Sequence, residues 1–151
     1  MIPQNKGAPR ASLLWLNYNS SRIINVVLKS LESLLSIDYS NYEVIVVDNG
    51  SNDGSMQAIK DFIRKAKSQM DLPPIKFVEN SRNLGYTGGN YIGYRHRAKE
   101  SKYVIVVNND LVVEPGSLRS LICYLENHAS AAAVQGMITS WDGSRIDNCG
   151  F

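Results

Sequence analysis

The sequence predicts an α/β fold of three layers, with helices on both faces of a mostly parallel sheet. Three observations point to it. Short apolar runs alternate with amphipathic helical stripes along most of the chain. Residues 44–47 and 104–107 are unbroken β-branched runs, as expected for strands covered on both faces. The 151 residues suit one domain able to bury a core without disulfide or metal staples.

The elements follow in order. Residues 13–16 form the first strand. Residues 21–35 carry apolar side chains at 23, 24, 27, 28, 31, 34 and 35, a helical stripe that Asn19 or Ser20 can cap. Residues 43–47 form the second strand. Met56, Ile59, Phe62, Ile63 and Ala66 mark a second helix over residues 55–70. Pro73-Pro74 is a loop that leads into a third strand at 75–78. Residues 90–99 read as a short, more polar helix, followed by a fourth strand at 103–107. Pro115 suits a first helical position, and Leu118, Leu121, Ile122 and Leu125 give the fourth helix its buried face. A fifth strand is expected at 132–138, and residues 140–151 hold turn residues without a clear element. Strand–helix repeated four times implies right-handed crossovers. Residues 1–10 are polar with two prolines and read as a flexible tail, which leaves 11–151 as the domain.

Composition excludes several classes. The net charge is +2 and the basic residues are scattered, so no nucleic-acid partner is expected. Cys123 and Cys149 give neither a disulfide framework nor zinc spacing, and read as reduced thiols in a cytosolic protein. No apolar run reaches the roughly 18 residues of a membrane span, and the start lacks the apolar stretch of a signal peptide. His96 and His128 have no partners at metal spacing and read as structural. Trp15 and Tyr91 read as core.

In an open parallel sheet, ligands bind beyond the carboxyl ends of the strands. Four strand ends here lead into polar or Gly-rich segments. The first is Asn17-Tyr18-Asn19. The second is Asp48-Asn49-Gly50-Ser51-Asn52-Asp53-Gly54-Ser55. The third runs from Asn80 through Asn83-Leu84-Gly85-Tyr86-Thr87-Gly88-Gly89-Asn90. The fourth is Asn108-Asn109-Asp110. A carboxylate at the end of a buried strand can hold a hard divalent ion whose other ligands are diphosphate oxygens and water. Asn and Asp are also favoured in turns, so the fourth segment alone does not separate ligand from turn. Asp48 and Asn49 can accept from the N3–H of uracil or thymine, or from a ribose hydroxyl, while Asp53 belongs mostly to the turn. Gly85, Gly88 and Gly89 allow close backbone approach, and the helix after them favours anions at its start. Neither a P-loop nor a dinucleotide fingerprint is present. Tyr18 can stack on a base or simply pack. Arg82, Arg95 and Arg97 can meet phosphate, although lone arginines are usually solvated.

Taken together, Leu14-Trp15-Leu16-Asn17-Tyr18-Asn19, Val47-Asp48-Asn49-Gly50-Ser51-Asn52-Asp53-Gly54-Ser55, Asn83-Leu84-Gly85-Tyr86-Thr87-Gly88-Gly89-Asn90 and Asn108-Asn109-Asp110-Leu111-Val112-Val113-Glu114-Pro115-Gly116 resemble family 2 inverting glycosyltransferases. The Asp-Asn-Gly-Ser and Asn-Asn-Asp variants look most like the rhamnosyltransferase-type branch. The resemblance spans about residues 11–151 and implies the GT-A, or nucleotide-diphospho-sugar transferase, fold in truncated form. It implies that Tyr18 flanks the nucleobase and that Asp48 and Asn49 hold base and ribose. It places Asn83, Gly85, Gly88, Gly89 and Asn90 around the donor pocket, with Asn109 on ribose or phosphate. Asp110 becomes the Mg²⁺ or Mn²⁺ ligand. Asn108 replaces the first acid of the family's metal motif, which leaves fewer charges for the ion.

The resemblance also implies sugar transfer with inversion from a UDP- or dTDP-sugar to a hydroxyl of a glycan or lipid-linked acceptor. The role fits polysaccharide biosynthesis in the cytoplasm, with peripheral placement at the inner face of the membrane. The family's base lies C-terminal of the metal motif, in the acceptor-binding half. About 40 residues follow Asp110, and their acids Asp142 and Asp147 match no base motif, so the catalytic base is unassigned. The acceptor-binding half is expected to be absent, leaving the chain inactive alone or completed by a second copy or a partner subunit. Two rival readings are a non-catalytic module acting through a partner and a nucleotidyltransferase. The second lacks its usual Gly-rich basic loop around residues 17–22.

Overall fold

Strand β1 (Ala11–Asn17) is almost wholly buried because it has a strand on each side and helices above and below. A computed structural model describes residues 7–149 of the chain. β1 pairs in parallel with β2 (Tyr42–Asp48) on one side and β4 (Tyr103–Asn108) on the other. β3 (Ile75–Glu79) extends the sheet beyond β2, giving the order β3-β2-β1-β4 with every pairing parallel.

Side-chain alternation along β1 divides the core in two. Leu13 and Trp15 join Val44 and Val46 beneath helices α1 (Ile24–Leu35), α2 (Ser55–Lys67) and α4 (Ser117–Asn127). Leu14 joins Ile45, Val47 and Val78 on the opposite face, under Ile92 of helix α3 (Gly85–Arg95). Among the described residues α3 is the helix that covers this second face, and it lies over β1 and β2. Val104 and Val106 of β4 share the face through their pairing with Ser12 and Leu14, yet they remain exposed.

At the amino-terminal edge of the sheet, Glu43 is 0% exposed. Its Oε1 accepts from Ser12 Oγ and from the Ala98 backbone N–H, both at 2.6 Å. Its Oε2 lies 2.9 Å from Lys76 Nζ and 3.7 Å from Arg10 Nη2. Burial pushes the Glu43 carboxyl up, but these hydrogen bonds and the Lys76 charge outweigh it and hold it below the usual carboxylate range. One carboxylate thus ties three parallel strands and the segment before β4 together.

Several sequence expectations need correction. The expected strand at 132–138 is absent. Only Ile138–Thr139 (β5) is extended, and it pairs antiparallel with β6 (Ile146–Asn148) in a separate two-stranded sheet. Ala132, Ala133 and Gly136 give that stretch little β-propensity and little apolar area to bury. The tail after residue 140 therefore contains a strand, and residues 150–151 lie outside the described residues. Helix α3 starts at Gly85 rather than 90 and stops at Arg95 rather than 99. Its glycines conceal a helix because they face a close contact instead of filling a stripe. Of the expected tail 1–10, residues 1–6 lie outside the described residues. Ala8 and Pro9 are bonded, their carbonyls accepting from Asn41 Nδ2 and Tyr39 Oη. Tyr91 is 54% exposed and not core, because it faces away from the sheet side of α3. Trp15 is core as expected, and its Nε1–H donates to Ser30 Oγ at 3.1 Å.

Candidate functional site

The carboxyl ends of the parallel strands carry Asn17, Asp48 and Asn108, and the loops that follow are fastened to one another. Asp48 is 4% exposed. Its Oδ1 accepts from Asn17 Nδ2 at 2.9 Å and Ser51 Oγ at 2.6 Å, and its Oδ2 accepts from the Ser51 N–H at 2.9 Å. The Asp48 carboxylate is therefore engaged in the framework and is not among the residues that line the pocket. The following turn requires Gly50. Its φ is +79°, and an added Cβ would lie 2.7 Å from the Arg82 backbone.

Asn49 is 2% exposed and uses its whole amide. Its Oδ1 accepts from Asn80 Nδ2 and the Leu84 N–H, both at 3.1 Å. Its Nδ2 donates to Asn83 Oδ1 at 2.8 Å and the Gly85 carbonyl at 3.1 Å. One side chain thereby sets the path of the loop from 80 to 85 and the start of α3. With two acceptor and two donor positions filled, Asn49 shapes the pocket wall.

The start of α1 is held by a neighbouring loop. Ser20 Oγ donates to Asn17 Oδ1 instead of capping the helix. Asp53 Oδ2 accepts from the Ser21 N–H at 2.7 Å, where a single 3₁₀ turn (Ser21–Ile23) precedes α1. Asp53 Oδ1 also accepts from the Ser55 N–H at 3.0 Å, at the start of α2. Burial raises the Asp53 carboxyl, but the hydrogen bonds from Ser55 and Ser21 together outweigh it and hold it far below its usual range. Asn19 adopts φ 44°, accepts from the Asn52 N–H and gives its own N–H to Ser51 Oγ. These bonds fix Tyr18 at the rim.

A cavity of about 340 Å³ opens over this framework, lined by Leu16, Tyr18, Asn49, Asn83, Gly85, Tyr86, Asn108, Asn109 and Asp110. That size falls in the range of about 300–1,000 Å³ usual for small-molecule sites. Tyr18 is exposed beside it, a ring free to stack. The other wall joins the first turn of α3 to the end of β4, where Tyr86 Oη donates to Asn108 Oδ1 at 3.0 Å. Asp110 is the carboxylate in the lining.

A metal must fit these residues. Among the described residues, no three His, Cys, Asp or Glu side chains converge to form a cage. The donor set is one exposed carboxylate, Asp110, among amides. It suits a hard ion such as Mg²⁺ or Mn²⁺ that brings most of its ligands as phosphate oxygens and water. A preformed zinc-type site does not fit.

The comparisons bear on this arrangement. The family model described as Glycosyl transferase family 2 matches residues 12–148. The chain belongs to glycosyl transferase family 2. It is 25% identical over 129 residues to an uncharacterized glycosyltransferase of Haemophilus influenzae, covering 85% of this chain and 36% of that protein. It superposes on a mannosyltransferase of Pyrobaculum calidifontis, solved with GDP-Man and Mn²⁺, with a TM-score of 0.67. The identity is 22%, over 88% of this chain and 36% of that one. S. aureus TarS 1–349 in complex with UDP-GlcNAc gives a TM-score of 0.62 at 19% identity, over 87% of this chain and 38% of that one. The architecture is the GT-A fold expected from the sequence. The chain spans well under half the length of each of these three proteins.

In this family 2 chain, six of the ten residues expected at the site line the cavity: Tyr18, Asn49, Asn83, Gly85, Asn109 and Asp110. Asp48, Gly88, Gly89 and Asn90 do not. Gly89 is buried within α3, where a Cβ would meet Leu16 Cδ1 at 2.6 Å and the Asn49 amide at 3.2 Å, so it brings the helix onto the strand ends. At Gly88 an added Cβ would meet Leu84 Cβ at 2.9 Å. Asn90 is buried, and its Nδ2 donates to the Tyr86 carbonyl at 3.0 Å, bracing the first turn. The cavity adds Leu16, Tyr86 and Asn108. Tyr86 was visible as a lone aromatic inside a Gly-rich segment, but its partner 22 residues away was not.

Proposed function

We propose that the chain is the donor-binding part of an inverting glycosyltransferase that takes a UDP- or dTDP-sugar with Mg²⁺ or Mn²⁺. The observation that carries this is the cavity at the strand ends, which sets one carboxylate, Asp110, beside four amides and the exposed Tyr18 ring. The Tyr18 ring stacks on the base. Asn83 and the backbone at Gly85 give polar contacts along the nucleoside, held in place by Asn49. Asn109 reaches the ribose or a phosphate. Asp110 holds the divalent ion against the diphosphate. When bound, the ion neutralises charge that develops on the leaving diphosphate. Sugar transfer passes through an oxocarbenium-like state and needs a carboxylate to take the acceptor's proton. No acid besides Asp110 lines the cavity.

The proton acceptor therefore belongs to a part of the functional protein beyond these residues, or to a second subunit. In this reading the chain binds donor on its own and transfers poorly or not at all. The acceptor is a glycan or lipid-linked hydroxyl, and the donor sugar is of the rhamnosyl type, on the motif resemblance of Asp48-Asn49-Gly50-Ser51 and Asn108-Asn109-Asp110. No helix among the described residues is long and apolar enough to cross a membrane. Action at the inner membrane face is then peripheral. A transfer assay on the purified chain with UDP- and dTDP-sugars tests the catalytic half. The expected result is no turnover without an added partner, and turnover abolished by Asp110→Ala would overturn that expectation.

A further inference from the structure

We propose that Tyr86 is a positioning residue that turns Asn108 into a hydrogen-bond donor for the nucleotide's diphosphate. The inference rests on the donor-site reading above. Both side chains line the cavity, beside Asn109 and Asp110. Tyr86 Oη donates to Asn108 Oδ1 at 3.0 Å, which fixes the oxygen side of that amide toward the phenol and turns its NH₂ the other way. No protein acceptor is bonded to Asn108 Nδ2 among the described residues, so its two hydrogens remain for a ligand. The next residues toward the rim are Asn109 and the Asp110 carboxylate.

The rest of the molecule holds this pair in place. Tyr86 sits in the first turn of α3, where Asn90 Nδ2 bonds its carbonyl and Asn49 bonds the Gly85 carbonyl one residue before it. Asn108 ends β4, whose register against β1 sets it opposite Leu16. The link therefore crosses the cavity between two rigid elements rather than between two loops.

The chemical consequence concerns sign. A carboxylate at position 108 would repel a diphosphate until a metal ion bridged the two. A fixed amide N–H attracts the same oxygens with or without the ion, and hydrogen bonds to charged groups are the stronger kind. The site then takes hold of the diphosphate before, and partly independently of, the ion at Asp110. Tyr86→Phe frees the Asn108 amide to rotate and loses this grip, while the nucleoside contacts at Tyr18 and Asn83 stay.

The test is calorimetric titration of UDP and of uridine into the full chain, each with Mn²⁺ and with chelator. Tyr86→Phe is expected to weaken UDP by roughly three- to tenfold in chelator and to leave uridine unchanged. Asn108→Ala should weaken UDP to a similar extent, and adding Tyr86→Phe to it should cost nothing more, because the phenol acts through the amide. Asn108→Asp should weaken UDP most in chelator and recover in Mn²⁺. Unchanged UDP binding by Tyr86→Phe, equal losses for UDP and uridine, or additive losses in the double variant each overturn the inference while the donor-site reading stands. Wild-type protein that binds neither UDP nor uridine, and neither dTDP nor thymidine in the same titrations, though folded by circular dichroism, overturns both. If only the thymidine pair binds, the same variants are read with dTDP and thymidine.

Discussion

Three side chains at the strand ends serve as framework although their residue types suggest chemistry. Asp48 ends β2, Asn49 and Asp53 follow it, and each is occupied by bonds within the protein. Asp53→Ala removes the partner of two N–H groups, at Ser21 and Ser55. Loss of a helix-start acceptor of this kind typically costs about 1 kcal/mol, and up to about 2 kcal/mol. Urea unfolding of the variant should show that loss. Gly50→Ala should cost more than Gly54→Ala. Both glycines have positive φ, but only Gly50 meets backbone, that of Arg82, at 2.7 Å. Strain at such a position is on the order of 1–3 kcal/mol, and the denaturant midpoints of the two variants compare them directly. Asn49→Ala should unfasten the loop from Asn80 to Gly85 and weaken UDP binding, without touching the metal ligand.

At the scale of elements, the parallel sheet was legible in the sequence and the segment after α4 was not. Continuous β-branched runs identify β2, which is buried on both faces and tolerates no polar alternation. They also locate β4, although its Val104 and Val106 are exposed rather than covered as the run implied. The helix stripes of α1, α2 and α4 are wide because all three cover the larger core. Helix α3 was half-hidden, since it approaches the sheet through Gly89 and Gly93 and carries few apolar residues. The cap of α1 was misassigned for a similar reason. Its acceptor comes from Asp53, 32 residues further along the chain, and no local pattern reports that distance. Asn19 and Ser20 were the local candidates, and both are engaged elsewhere.

The Glu43 latch gives this scale its pH prediction. A carboxyl held below its unfolded value stabilises the fold above the unfolded pKa of about 4.3. That contribution is lost as pH falls through the lower, folded value. Acidification from about pH 5 to 3 should therefore lower the urea midpoint, and Glu43→Gln should reduce that dependence. The same substitution should destabilise the protein at pH 7. Breaking a buried ion pair costs about 3–5 kcal/mol when the remaining charge stays buried. Lys76 is 44% exposed and Arg10 32%, so the loss should fall at or below the low end of that range.

For the whole molecule, the fold directs where the site forms. Strand ends from β1, β2 and β4 converge on one edge, which brings Tyr18, Asn49 and Asp110 to one cavity from positions 92 residues apart in sequence. That convergence is legible in the amino-acid pattern alone, because a parallel sheet sends all its carboxyl ends to the same edge. The division between framework and lining is not. Asp48 and Asn49 are adjacent in a strand end, and alternation along the strand sends only Asn49 to the cavity side. Among the described residues, the second face of the sheet is covered by α3, and Val104 and Val106 of β4 are exposed. The chain also spans well under half of its compared relatives.

Asp110 and its neighbours are expected to form a working donor site in this chain alone. Calorimetric titration of UDP and dTDP into the purified protein, with Mn²⁺ and with chelator, alongside Asp110→Ala, decides it. At least one nucleotide should bind, Mn²⁺ should tighten it, and the Mn²⁺-dependent gain should disappear in Asp110→Ala while the protein stays folded. Binding that gains nothing from the ion, or a gain that survives loss of the Asp110 carboxylate, would refute the assignment of Asp110 as the metal ligand of the site.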